Sequence, residues 1–162
     1  MKAFSLYLFI AILALSVQAV LFKGTKPDFV FILVFSYSLR YGQLKGMAYG
    51  ALTGLMIDFA SGFILGPNII SKAFTGYVVA SVRQKVFQWN VIINTVMIVV
   101  FSIIDIFLVY VCLETFTNIS FVNMSLKTSI IQVLYTTLIS LLFYSVLNPE
   151  RDNVLSLNKR KI

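Results

Sequence analysis

Seven positions at four-residue spacing, Gly42, Gly46, Gly50, Gly54, Asp58, Gly62 and Gly66, run without a break through a strongly apolar region of the chain. Glycine at this spacing strips one stripe of a helix of side chains, so a neighbouring helix can approach until backbones touch. In lipid, such contact is what holds helices together. Each four-residue step turns a straight helix about 40° past a full circle, so Gly42 and Gly54 stand about 120° apart. One neighbour therefore cannot use every rung. The stretch reads as a central helix that packs two or more neighbours and carries Asp58 into their midst.

Composition decides the solvent around this helix. The 162 residues are 59% hydrophobic and 12% charged, more apolar side chain than a water-soluble core of ordinary proportions hides. Backbone exposed to lipid must satisfy its own hydrogen bonds, and long continuous apolar runs do so as helices rather than as the alternating strands of a barrel. The predicted fold is an all-α integral membrane protein, a six-helix transmembrane bundle. Cys112 stands alone, so no internal disulfide or cysteine metal cluster forms, and the chain has no histidine. Lacking the commonest general base and metal ligand, it is read as neither a metalloenzyme nor a serine-histidine hydrolase, and no cofactor is expected. The net charge of +7 does not point to nucleic acid, because the basic residues sit at helix ends instead of gathering with aromatics into a patch.

Six segments are expected to cross a hydrocarbon layer of about 30 Å. They are residues 4–22, 29–41, 46–66, 69–82, 91–113 and 128–147, followed by a basic tail over 148–162. The first opens like a secretory signal, with Lys2, an apolar run and small residues near Ala19, but the bulky continuation Val20, Leu21 and Phe22 favours its retention. The second is short, and the third is stopped by Gly66 and Pro67. Six crossings put both chain ends on one side. That side carries Lys2, Arg40, Lys45, Arg83, Lys85, Arg151, Lys159, Arg160 and Lys161, against Lys23, Lys26 and Lys127 opposite. By the positive-inside rule both termini are expected in the cytoplasm.

Ionisable groups inside such spans are functional candidates by default. Asp58 and Lys72 flank the Pro67 turn and are expected to approach each other across an antiparallel hairpin, fixing its register, binding a ligand or docking a partner. Asp105 lies well inside the fifth segment and must face protein or water, protonated or bonded to a hydroxyl. Gln132, Thr136, Ser140 and Tyr144 form one four-residue stripe on the sixth segment, read as interhelical bonding before a substrate path. Phe87, Trp89 and Arg83 read as an interfacial belt. The end Lys159, Arg160 and Lys161 reads as a solvated anchor or a contact with anionic membrane lipids or a cytoplasmic partner.

Two blocks carry a family resemblance: KPDFVFILVFSYSLRYGQLKGMAYG over 26–50 and GLMIDFASGFILGPNIISKAFTGYVVASVRQKVF over 54–87. They resemble MreD, the rod shape-determining membrane protein family of bacteria. The matching features are Pro27 and Asp28 at the start of the second helix, then Asp58, Ser61, Gly62 and Gly66, with Gln18 and Asp105 at further family positions. Ala80 and Ser81 depart from it where a glycine often follows the pair matched by Gly76 and Tyr77, so packing there is expected to differ. The resemblance implies a non-enzymatic subunit of the elongation machinery of the bacterial inner membrane, serving lateral-wall peptidoglycan synthesis and cell shape. It implies MreC as direct partner, with the filament protein MreB, the glycosyltransferase RodA and its penicillin-binding transpeptidase in the same complex. The family is also distantly similar to the substrate-binding membrane subunits of energy-coupling-factor transporters. That likeness keeps a small-solute-binding subunit as the alternative.

Overall fold

The computed structural model describes residues 2–21, 24, 26–62, 64–85, 90–116 and 126–147, and side chains within these except at 2–3 and 143–147. Six helices, and no strand, occur among the described residues: α1 (Lys2–Leu21), α2 (Phe29–Tyr41), α3 (Gln43–Ser61), α4 (Pro67–Lys85), α5 (Val91–Phe116) and α6 (Leu126–Leu147). Two of them, α1 over Phe4–Leu21 and α5, are long and apolar enough to cross a membrane. Large apolar side chains stand exposed all around the bundle, among them Phe9, Leu13, Leu44, Phe59, Phe74, Ile92, Phe107 and Leu142. An apolar exterior of this extent suits lipid and not water.

The central helix is α2, not α3 as the glycine spacing suggested. Only 13 residues long, it is buried on almost every side. Phe31, Phe35 and Leu39, four residues apart, meet Val79 of α4 and Ile98 and Phe101 of α5. On its other side Val30, Val34 and Tyr37 meet Ala11 of α1 and Tyr49 of α3. A helix that is hydrophobic all round belongs inside a bundle, and this one is. Its first turn is closed by Asp28, whose carboxylate accepts the Phe31 N–H at 2.7 Å, and a single residue, Gly42, joins it to α3.

The segment expected over 46–66 is helical only as far as Ser61. Gly62 takes φ 62°, a left-handed conformation that a β-carbon disfavours, and closes α3 by donating its N–H to the Phe59 carbonyl. The chain turns and restarts at Pro67, which occupies a helical first position where its missing N–H costs nothing. α3 and α4 then run antiparallel in the most extensive contact of the bundle.

Candidate functional site

Glycine makes the α3–α4 contact a backbone seam. A methyl group added at Gly46, Gly50 or Gly54 would come within 3.0 Å of the carbonyls of Gly76, Lys72 and Asn68 respectively. These three α4 residues are themselves four apart, and Gly76 reciprocates, since a methyl there would strike the Gly46 carbonyl. Three of the six predicted glycines therefore lie in the seam. Gly42, Gly62 and Gly66 do not: all three have positive φ, lie outside the helices and would meet nothing within 4 Å. The helical turn between successive rungs does not scatter the three seam glycines, because the α4 backbone follows them from 46 to 54. Gly76 is the rung that sequence spacing alone left out.

The close approach at Gly50 sets the depth at which Lys72 leaves α4. Its side chain is 1% exposed, and its Nζ donates to Asp28 Oδ2 at 2.6 Å and to Asp105 Oδ2 at 2.5 Å. The expected Asp58–Lys72 pair thus does not form. Lys72 reaches instead to the start of α2 and the middle of α5, with its ammonium 5.4 Å from the centre of the Phe31 ring. Beside it on α4, the Ser71 hydroxyl meets both the backbone carbonyl and the carboxyl of Asp105. Asp105 thus faces protein and a hydroxyl, as an interior carboxyl must. On the far side, the Asp28 N–H donates to Thr136 Oγ1 at 3.0 Å, and Thr136 donates to the Gln132 carbonyl. Four helices, α2, α4, α5 and α6, therefore meet at one buried polar centre.

Asp58 does different work. It is 2% exposed and accepts from the Gly66, Asn68 and Ile69 backbone N–H groups and from Asn68 Nδ2, at 2.7 to 3.3 Å. The first N–H groups of a helix have no partner within it, so a carboxylate placed there satisfies orphan donors and the positive end of the helix dipole together. Asp58 is a cap for α4 supplied by the preceding helix. Ser61 joins the arrangement by donating to the Asp58 carbonyl at 2.8 Å.

Gln132 is half-buried and takes part through its backbone carbonyl, whereas Thr136 and Ser140 on the same stripe are buried. The Tyr144 side chain, Phe87, Trp89 and the tail over 148–162 lie outside the described residues. Asp28 as an ion partner is what sequence reasoning missed: it stands 44 residues from Lys72. Its place after Pro27 pointed to a helix start and not to a charge pair. An apolar groove of about 380 Å³ opens between α5 and α6, lined among others by Ile103, Phe107, Tyr110, Leu126, Ile130 and Val133. None of Asp58, Lys72, Asp105 or Gln132 lines it.

The arrangement is suited to holding helices at fixed depth and angle. Breaking a buried ion pair by removing one partner costs far more than a surface pair, so these helices cannot slide independently. No group of three or more metal-ligating side chains occurs among the described residues. Residues 1–150 match the model of the family described as rod shape-determining protein MreD. No curated protein and no solved structure matches the chain. With a match over nearly the whole length, the chain belongs to the MreD family of rod shape-determining proteins.

Proposed function

We propose that the chain is a non-enzymatic membrane scaffold and regulator of the rod-shape elongation complex, binding MreC and supporting lateral-wall peptidoglycan synthesis. In this reading all six helices cross the inner membrane and both termini are cytoplasmic. The excess of Lys and Arg on the side of the termini supports that orientation.

The observation that carries the proposal is where the polar groups inside the bundle are used. Lys72, Asp105 and Asp58 are bonded to other parts of the protein, at junctions between helices. A scaffold needs that rigidity. With Gly46, Gly50 and Gly54 turned toward α4, the face of α3 offered to the membrane helix of MreC carries Leu44, Met47, Leu52 and Phe59, all exposed. MreB, RodA and its transpeptidase would join through the same assembly. The groove between α5 and α6 contains none of the charged candidates that the small-solute alternative would place along a cavity.

Expression in rod-shaped cells depleted of their own MreD tests the proposal, with cell width and retention of tagged MreC on detergent purification as readouts. Restored rods with MreC retained are expected. Folded protein that leaves cells round, or that retains no MreC, would overturn it.

A further inference from the structure

Around Ser71 two oxygens of Asp105 compete for one hydroxyl hydrogen. Ser71 Oγ lies 3.0 Å from the Asp105 backbone carbonyl and also in contact with Asp105 Oδ1. A serine hydroxyl has one hydrogen to donate, plus lone pairs with which to accept. If that hydrogen serves the backbone carbonyl, the hydrogen in the second contact has to come from the carboxyl.

Charge leads independently to the same place. Two carboxylates flank a single ammonium, so Asp28, Lys72 and Asp105 would together carry one net negative charge if both acids were ionised. Lys72 is 1% exposed and Asp105 is 4% exposed. An uncompensated charge at that depth is expensive enough that the group takes up a proton instead. Of the other described groups at the centre, α6 brings the Thr136 hydroxyl, and α2 the Phe31 ring and N–H.

We propose that Asp105 is the binding site of a resident proton. Asp105 Oδ1–H donates to Ser71 Oγ, the Ser71 hydroxyl donates to the Asp105 backbone carbonyl, and Lys72 pairs as a cation with ionised Asp28. The centre is then neutral and every hydrogen has an acceptor. Asp28, at 14% the most exposed of the three side chains, is the route by which the proton exchanges with solvent. This assignment goes beyond the scaffold reading and does not depend on it, because it concerns the buried centre and no partner.

Infrared spectroscopy of the full chain in detergent, with aspartate labelled at its side-chain carbon, tests it at neutral pH. An isotope-sensitive carboxylic acid C=O band is expected in the unsubstituted protein. It is expected to vanish in Asp105→Asn, where Asp28 alone balances Lys72, and in Asp28→Asn, where Asp105 must ionise to do so. In Ser71→Ala the band is expected to persist and move to higher frequency, because the acid loses its acceptor. No acid band in the unsubstituted protein, or one retained in Asp105→Asn, overturns the proposal. A band unmoved by Ser71→Ala overturns it too, placing the proton on Asp28.

Discussion

Gly46 and Gly76 face each other across the α3–α4 seam so closely that each carbonyl occupies the space the other residue's β-carbon would need. The contact is between two backbones, which cannot swing aside as the end of a long side chain can. It is the cytoplasm-proximal end of the seam in the proposed orientation, with Gly50 and Gly54 continuing it toward the α3–α4 turn.

Alanine at Gly50 is therefore expected to force the helices apart. Overpacking costs typically about 1–3 kcal/mol, and here the obstacle is the Lys72 carbonyl itself. Thermal unfolding in detergent should show the loss, with Gly24→Ala as the control, since a methyl at Gly24 meets nothing within 4 Å. The pair Gly46→Ala and Gly76→Ala should combine to less than the sum of the singles, because the first already separates the backbones the second would push. Full additivity would mean the two glycines do not share one contact.

Asp58→Asn is expected to loosen the α3–α4 turn. The new amide nitrogen, placed where Oδ2 was, would point a donor at the Gly66 and Ile69 N–H groups that now donate to it. Hydrogen bonds to charged groups contribute about 1.5–3 kcal/mol, so a loss of that order is expected in thermal stability. Amide hydrogen exchange should quicken at Gly66 and Ile69 and stay unchanged along α5. Unaltered exchange at the turn would show that the carboxylate does not hold it.

Apolar runs made helix number and order legible in the sequence, because each run has to form its own backbone hydrogen bonds in lipid. The glycine spacing was legible as a close contact but misleading about its extent. Regular spacing continues through Gly62 and Gly66, whereas the helix stops where Gly62 turns left-handed. Burial of α2 was not legible from its length. A short apolar segment looks like a marginal span, and only the assembled neighbours reveal it as the centre. Charge pairing was least legible of all. Asp58 and Lys72 looked like partners because a hairpin brings nearby residues together, yet the seam rotates Lys72 toward α2 and α5 and leaves Asp58 for the turn. That Asp28 and Asp105, and not Asp58, meet Lys72 is a tertiary fact, fixed by helix rotation.

Lys72→Met is expected to be among the most destabilising single changes, because it leaves Asp28 and Asp105 facing each other without a cation. Removing one member of a buried pair costs about 3–5 kcal/mol. Replacing all three together, Asp28→Asn, Lys72→Met and Asp105→Asn, should recover much of that loss, as buried ionic groups often stabilise no better than neutral ones of similar volume. Denaturant titration in detergent separates the outcomes. A triple variant as unstable as the single one would mean that Lys72 matters for its packing and not for its charge.

Tyr49 offers a last separation of effects, since its ring and its hydroxyl serve different contacts. The ring stacks on Tyr37 at 4.5 Å between centroids and meets Phe4 and Tyr7 edge-on, while the hydroxyl donates to the Tyr7 carbonyl at 2.8 Å. α1 is held along a single stripe, by Phe4, Tyr7, Leu8, Ala11 and Leu15. Tyr49→Phe removes one hydrogen bond and should cost about 0.5–1.5 kcal/mol. Tyr49→Ala empties the ring's site as well and should cost about 3–5 kcal/mol, in line with large-to-small changes in cores. Amide exchange in α1 should rise sharply for alanine and little for phenylalanine. Equal effects from the two would mean that α1 is fastened by the hydroxyl, and that the aromatic cluster merely fills space beside it.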